Sequence, residues 1–191
     1  MSNEDDINGV LRAHIDAEWP GRTKELFVWA YGPPAEVLPR LRICRVAPGS
    51  AQDPWVYVTI GAWEATGRAS EGQEFILLAP SADARHVETL AVAAFYHCSP
   101  EHRLRLGRAY DAGRSWVEGS KCDHFLVSRP YPCPPAFEMC VADGVLVRFA
   151  WLLPITTSEA EFVRHNGLEA LESLFESRAV DAIDPFRNAA V

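Results

Sequence analysis

The sequence predicts an α+β protein in which a short N-terminal helix is followed by strands, a second helix, more strands and a closing helix. Apolar runs broken by proline and glycine indicate strands in the first third, and a 3.6-residue apolar period indicates a helix in residues 82–98. Apolar runs on both sides of an Asp-Gly pair indicate a β-hairpin. With 191 residues, 48% of them hydrophobic, the chain can bury its own core. We expect a single domain over residues 1–191, with its core over about 6–177 and an irregular tail over 181–191.

One helix and four strands are predicted in the first part of the chain. Ile7, Leu11 and Ile15 recur every four residues, which predicts a helix over residues 6–19. Gly-Pro-Pro and Ala-Pro-Gly-Ser segments then separate apolar runs, as turn sequences do between strands. The predicted strands occupy residues 26–31, 41–46, 55–60 and 75–78.

The middle of the chain combines a helix with further strands. Val87 and Leu90 belong to an apolar stripe with helical spacing, so residues 82–98 are predicted to form a helix. Residues 145–153 are apolar on both strand faces, which is typical of a central strand, and Pro154 is expected to end it. Further strands are predicted over residues 102–110, 122–128 and 137–141.

A long helix is predicted over residues 158–177. Ser158 and Glu161 fit a capping box, which marks its first turn. The stripe expected to face inward consists of Val163, Gly167, Leu168, Leu171, Leu174 and Phe175. The helix also carries several glutamates with helical spacing, and we interpret them as a solvated face rather than as an acid–base pair. These glutamates are Glu169, Glu172 and Glu176.

The charge balance and the absence of targeting signals limit the classes of partner. The 18 basic and 26 acidic residues give a net charge of −8, which disfavours a nucleic-acid-binding surface over most of the molecule. The acidic start does not resemble a secretory signal, and no apolar stretch approaches the length that spans a bilayer. Five cysteines without repeated spacing do not resemble a disulfide framework. We therefore expect a cytoplasmic protein with reduced thiols and no membrane or nucleic-acid partner.

The sequence contains no nucleotide-binding, α/β-hydrolase or standard zinc motif, so we expect neither a cofactor nor a metal. The nearest approach to a catalytic site is Cys122 with His124. On an extended strand their side chains point the same way and could form a thiol–imidazole pair. They could equally be a buried thiol and an imidazole at the end of a strand. Cys133 and Cys140 follow, but their spacing matches no common zinc site.

A basic and an aromatic group are the remaining candidates for a binding surface. Arg103 and Arg105 alternate with leucines, so a strand would project both guanidinium groups to one face, as solvated charge or toward an acidic partner. Trp55 and Tyr57 share a strand face, and Trp63 follows closely. Such aromatic residues are usually core, but tryptophan and tyrosine are also enriched at interface hot spots.

Four segments in the same order resemble the suppressor of fused (SUFU) domain family. They are PWVYVTIGAWEATG at 54–67, EFILLAP at 74–80, GRSWVEGSKCDHFLVSRPYP at 113–132 and VRFAWLLPITTSEAEFVRHNGLEALESLFES at 147–177. The last is the most specific, because a strand ending in L-L-P-I-T precedes a helix that contains G-L-E-A-L. None of the four segments is a catalytic motif.

The resemblance implies an α+β domain with a mixed, mostly antiparallel β-sheet flanked by helices, and a non-enzymatic, protein-binding role. Animal members hold an extended peptide of a transcription factor as an added strand, whereas bacterial single-domain relatives resemble immunity proteins of polymorphic toxin systems. Tyr57 matches an aromatic position at which the animal proteins contact peptide. These proteins carry an acidic residue soon after the glycine that aligns with Gly67, whereas this chain has Arg68 and then Glu71. A site for a basic peptide anchor is therefore not supported there.

Three functional hypotheses follow. The leading one is a cofactor-free immunity protein that sequesters a cognate toxin, since complementary charge speeds association with basic toxins. The alternative is a regulatory adaptor that binds an endogenous protein by strand addition, which needs an exposed strand edge. The third is a thiol enzyme that uses Cys122 and His124. The sequence leaves the identity of the partner and the oligomeric state open.

Overall fold

An eight-stranded β-sheet organises residues 3–66 and 70–191, the parts of the chain that the computed structural model describes. The strands are β1 Lys24–Val28, β2 Arg42–Val46, β3 Trp55–Ile60, β4 Glu71–Ala79, β5 Ala109–Asp111, β6 Cys122–Ser128, β7 Met139–Ala142 and β8 Val145–Thr156. The helices are α1 Asn3–Glu18, α2 Pro33–Val37, α3 Ala84–Cys98, α4 Thr157–Asn166 and α5 Leu168–Ser177. Single 3-10 turns occur at Ala62–Thr66 and Pro135–Phe137.

The sheet is mixed and mostly antiparallel, which confirms the predicted fold class. Its strands lie in the order β1-β2-β3-β4-β8-β6-β5, and β7 pairs with the first part of β8. Only the β4–β8 pair is parallel among the described strands. Strand β8 lies between β4 and β6, as its two apolar faces predict. This position makes β8 an interior strand that is paired on both sides.

Helices cover both faces of the sheet. Helix α3 packs over β3 and β4 on one face, where Ala150 and Leu152 of β8 contribute to the core. The opposite face carries α1, α4 and α5, and there the neighbouring β8 residues Phe149, Trp151 and Leu153 are buried. Because successive side chains of β8 point to opposite faces of the sheet, the strand contributes to two separate hydrophobic clusters.

Two predictions for the segment after the hairpin are wrong. Pro154 does not end β8, which continues to Thr156. A proline is tolerated there because the pairing with β4 ends at Trp151, so no hydrogen bond between the two central strands is lost. The capping box is formed by Thr156 and Glu159, not by Ser158 and Glu161.

The closing helix is divided in two, contrary to the prediction of one helix. Gly167 has a φ of 87°, a conformation that glycine adopts more readily than other residues, and it separates α4 from α5. It is exposed and does not belong to the inward stripe. The predicted strand over residues 102–110 is also mostly wrong, because only β5 forms in that region.

A buried carboxylate organises the turn that follows β3. Glu74 is fully buried and accepts hydrogen bonds from the Thr59 hydroxyl at 2.5 Å and from the backbone N–H groups of Gly61 at 2.8 Å and Trp63 at 3.2 Å. Burial raises the pKa of Glu74 to about 7, although these donors act in the opposite direction. Folding therefore shifts the proton-binding equilibrium of Glu74 toward the protonated form.

We expect Glu74→Gln to remove a pH dependence of stability. Because the pKa of Glu74 is raised from 4.5 to about 7, its contribution is fully present below pH 4.5 and is lost as the pH rises to 7. The free energy of unfolding of the wild type should fall by up to about 3 kcal/mol relative to the variant over this interval. Urea denaturation at several pH values measures this difference. A difference that stays constant with pH contradicts the assignment.

Candidate functional site

The aromatic residues predicted as binding candidates are largely internal. Tyr57 is completely buried, and its hydroxyl oxygen accepts a hydrogen bond from the Asp83 backbone N–H at 2.9 Å. Trp63 is also buried and donates its indole N–H to Asn8 at 2.8 Å. Trp55 is partly exposed, and the Arg45 guanidinium lies 5.4 Å from the centre of its ring. The structure therefore does not bring these side chains together on a surface.

Arg103 and Arg105 lie in the loop between α3 and β5, so the expectation that a strand aligns them is wrong. They line a cleft of about 580 Å³ together with Arg108, Glu101 and Asp111. The cleft has mixed charge, and it adjoins the C-terminal end of α3, where the helix dipole favours cations. The arginines thus suit this position without any ligand.

The expectation that Cys122 and His124 share a strand face is wrong. A β-bulge lies between them, so Cys122 pairs with Thr156 and His124 with the adjacent Ile155. Cys122 is buried in the α3-side cluster, whereas His124 Nδ1 lies 2.8 Å from Asp123. Burial raises the pKa of the Cys122 thiol above its ordinary value, which lowers the thiolate fraction. The two residues therefore do not form a nucleophile–base pair.

Within residues 3–66 and 70–191, no group of three or more His, Cys, Asp or Glu side chains is arranged to hold a metal ion. Burial raises the pKa of Cys133 to about 12 and also raises that of Cys140.

Gly67 and Arg68, compared above with the animal proteins, lie outside the described residues. Over the described ranges, none of the helices has the length and apolar character needed to cross a bilayer.

Strand β1 offers an edge to which another strand could pair. It is the terminal strand of the sheet, and within the described part of the chain it pairs with β2 alone. Leu26 is 38% exposed and Val28 is 59% exposed. Tyr31, just beyond the strand, is 86% exposed. An open strand edge beside exposed apolar side chains is the arrangement that strand addition requires.

A second surface is an apolar groove on the opposite side of the sheet from α3, which we call the α5 groove. It has a volume of about 830 Å³ and lies between α5, the loop after β6 and the segment after α5. Its floor includes Trp151, Leu153 and Phe175, all of them buried core residues. Four carboxylates also line it, namely Glu169, Glu172, Glu176 and Asp181. The groove thus combines an apolar floor with acidic walls.

Hydrogen bonds fix one of these carboxylates. Glu172 accepts a hydrogen bond from the Ser128 hydroxyl and another from the Tyr131 hydroxyl, each at 2.8 Å. Burial and the neighbouring Glu172 carboxylate raise the pKa of Tyr131 to about 12, so this phenol stays protonated and donates. The Tyr131 side chain is nevertheless 58% exposed. It places an aromatic ring at the mouth of the groove.

A buried ion pair holds the segment that forms the far wall of the groove. The Arg187 guanidinium donates to both Glu159 oxygens, at 2.6 and 2.8 Å, and it lies over the Phe175 ring at 4.8 Å. The Glu159 carboxylate also accepts the Ala190 backbone N–H at 2.8 Å. Burial alone would raise the pKa of Glu159, but Arg187 and the backbone donors outweigh it and hold the pKa below its ordinary value.

Sequence reasoning missed both the α5 groove and the ion pair. The spacing of Glu169, Glu172 and Glu176 predicts a shared helix face, but it does not show that an apolar floor lies beside that face. The sequence predicts an irregular tail, and the tail has no helix or strand. Yet Arg187 and Ala190 within it are buried. The one sequence signal for the ion pair is Arg187, the single arginine in residues 181–191.

Comparison with known proteins gives consistent matches. The family model for Suppressor of fused protein (SUFU) matches residues 38–188. A SUFU homolog from Neisseria gonorrhoeae with a known crystal structure is 35% identical to this chain in sequence. The two structures superpose with a TM-score of 0.86, and the match covers 98% of each chain. No curated protein matches the sequence.

Two more distant structures share the fold. Drosophila Suppressor of Fused is 12% identical, with a TM-score of 0.72, and the match covers 97% of this chain and 51% of the Drosophila chain. A chain of the Sufu-Fu complex is 11% identical, with a TM-score of 0.71, and 97% of this chain and 92% of that chain are covered. The mixed sheet with helices on both faces thus defines a SUFU-type α+β domain. The chain belongs to the suppressor of fused protein family.

We expect Arg187→Met to destabilise the fold by about 3–5 kcal/mol, because it leaves Glu159 buried without its charged partner. The double variant Glu159→Gln/Arg187→Met should recover part of this loss. Arg178→Met, on an exposed residue at the end of α5, is the control. Urea denaturation measures the unfolding free energy of each. A loss below about 1 kcal/mol, as for a surface ion pair, contradicts the structural role.

Proposed function

We propose that the chain is a non-catalytic protein-binding domain of the immunity type, which sequesters and neutralises a cognate polymorphic toxin in the cytoplasm. The observation that carries the protein-binding part is membership of the suppressor of fused family, whose members are protein-binding regulators. A Sufu protein in complex with Fu is among the structures that share the fold. The partner in this proposal is a protein, not a nucleic acid or a membrane.

The acidic character of the chain supports a toxin as the partner. A net charge of −8 favours fast association with a basic protein, and toxins that attack nucleic acids are often basic. The match to the Neisseria gonorrhoeae protein covers 98% of each chain, so the similarity to this bacterial relative extends over nearly the whole length.

The geometry gives no support to the thiol-enzyme alternative. Cys122 is buried, and the bulge turns His124 away from it. A working pair would need the imidazole within hydrogen-bond reach of the sulfur. A binding role requires neither residue to react.

The proposal predicts that one protein copurifies in stoichiometric amount with the tagged chain from its own cells. Purification at low and high salt, followed by mass spectrometry, measures this. A charge-steered complex should lose association rate, and hence recovery, at high salt. If the captured protein poisons the cells in which it is expressed, co-expression of this chain should restore their growth. Recovery of a non-toxic endogenous regulator would contradict the immunity role, and recovery of no protein at either salt would contradict protein binding itself.

A second candidate function is favoured by the open edge of β1. A regulatory adaptor would add a strand of its partner beside Leu26 and Val28, whose exposed apolar side chains would then be covered. This role differs from the immunity role in its partner, which would be an endogenous protein.

Strand addition predicts that Val28→Lys weakens binding of the captured partner at least about tenfold, since a charge on an edge strand opposes pairing. Val141→Lys on β7 is the matched control, because Val141 is 69% exposed on another strand and the charge change is identical. Biolayer interferometry with both variants measures the dissociation constants. Equal effects of the two substitutions would exclude the β1 edge as the binding surface.

A further inference from the structure

We propose that the α5 groove binds a segment of the partner protein in which an apolar side chain is flanked by lysine or arginine residues. This inference rests on the proposed protein-binding function and adds a binding surface with defined chemistry. It differs from the aromatic position at Tyr57, which is buried, and from the β1 edge, which is at one end of the sheet.

The floor of the groove explains the apolar anchor. Trp151, Leu153 and Phe175 are each at least 90% buried, yet all three line the open space of about 830 Å³. A cleft of this size accommodates one or two large apolar side chains. Tyr131 at the mouth is the kind of residue that is enriched at interface hot spots.

The acidic walls of the groove are the reason for proposing lysine or arginine residues on both sides of the apolar side chain. Four carboxylates line the groove and no lysine or arginine does, although the chain has 18 basic residues. Glu169 and Glu176 are exposed, and neither forms an ion pair within the described residues. Four like charges around one cleft repel one another, so a cationic occupant relieves this repulsion while an acidic one increases it.

Charge also argues against a second copy of this chain as the occupant. Two copies each carry a net charge of −8, so their long-range interaction is repulsive. A segment of a basic partner carries the opposite charge, so its long-range interaction with this chain is attractive. Four of the 26 acidic residues of the chain line this one apolar cleft.

A synthetic peptide with a central Leu-Phe pair and two lysines on each side tests the proposal. Titration into isotope-labelled protein should shift backbone amide signals of α5 and of the tail in two-dimensional NMR, together with the Trp151 indole signal. The Trp151 signal is assigned by Trp151→Phe. A peptide with glutamate in place of lysine, and one with serine in place of Leu-Phe, should bind at least about tenfold more weakly.

The double variant Glu169→Lys/Glu176→Lys should weaken the lysine peptide by at least about tenfold. The control Glu101→Lys/Glu118→Lys changes the net charge equally at exposed acids outside the groove, and it should leave binding nearly unchanged. Equal weakening by both variants, or shifts confined to other surfaces, would overturn the groove assignment. Concentration-dependent dimerisation in analytical ultracentrifugation that the groove variant abolishes would overturn it in favour of a second copy.

Failure of this inference is distinguishable from failure of the proposed function. If the chain captures a protein whose binding is insensitive to Glu169→Lys/Glu176→Lys, the groove assignment is wrong and protein binding stands. If the peptide binds as expected but the chain captures no protein from its cells, the groove assignment stands and the proposed function is wrong.

Discussion

The buried ion pair between Glu159 and Arg187 determines the shape of one whole side of the molecule. Glu159 caps α4 through the Thr156 backbone N–H at 2.8 Å, and Arg187 also donates to the Pro154 carbonyl at 3.0 Å. The end of β8, the start of α4 and the C-terminal segment therefore meet at one pair of charges. Such a pair is costly to bury and is stable only when its remaining polar atoms are satisfied, as these mostly are. The pair thereby anchors the C-terminal segment that follows the wall of the α5 groove.

The second constraint is the central place of β8. A strand that is paired on both sides and apolar on both faces requires helices above and below, and α3 and the α4–α5 pair supply them. The two ends of the strand order are β1 and β5. The open edge at β1 and the groove beside α5 are consequently on different parts of the surface, and a partner can use either one without blocking the other.

Most of the fold could be predicted from local patterns, and most of the site could not. The periodicity of α1 and α3 and the Asp-Gly turn before β8 are signals within a few residues of each other, so they predict elements correctly. The bulge at Cys122, the continuation of β8 through Pro154 and the placement of Arg187 depend on which strands become neighbours. That information is tertiary, and no short window contains it.

The groove shows the same limit in functional terms. Glutamates on a helix are usually solvated, as the exposed Glu169 and Glu176 are. Glu172 is instead half-buried and hydrogen-bonded, so the interpretation of all three as a solvated face is correct only in part. Their significance comes from Trp151 and Phe175, which are distant in sequence from one another and are brought together by the sheet. Tyr57 shows the converse, since an aromatic pattern suited to a binding surface is instead used to support Asp83 at the start of α3.

Hydrogen–deuterium exchange of the chain, with and without the protein it captures, tests the central claim most directly, because it reads out a binding surface without assuming which one is used. We expect the partner to slow exchange in β1 or in α5 and the segment after it. Protection confined to the arginine-lined cleft around residues 101–111, or no change at a saturating concentration of partner, would contradict it.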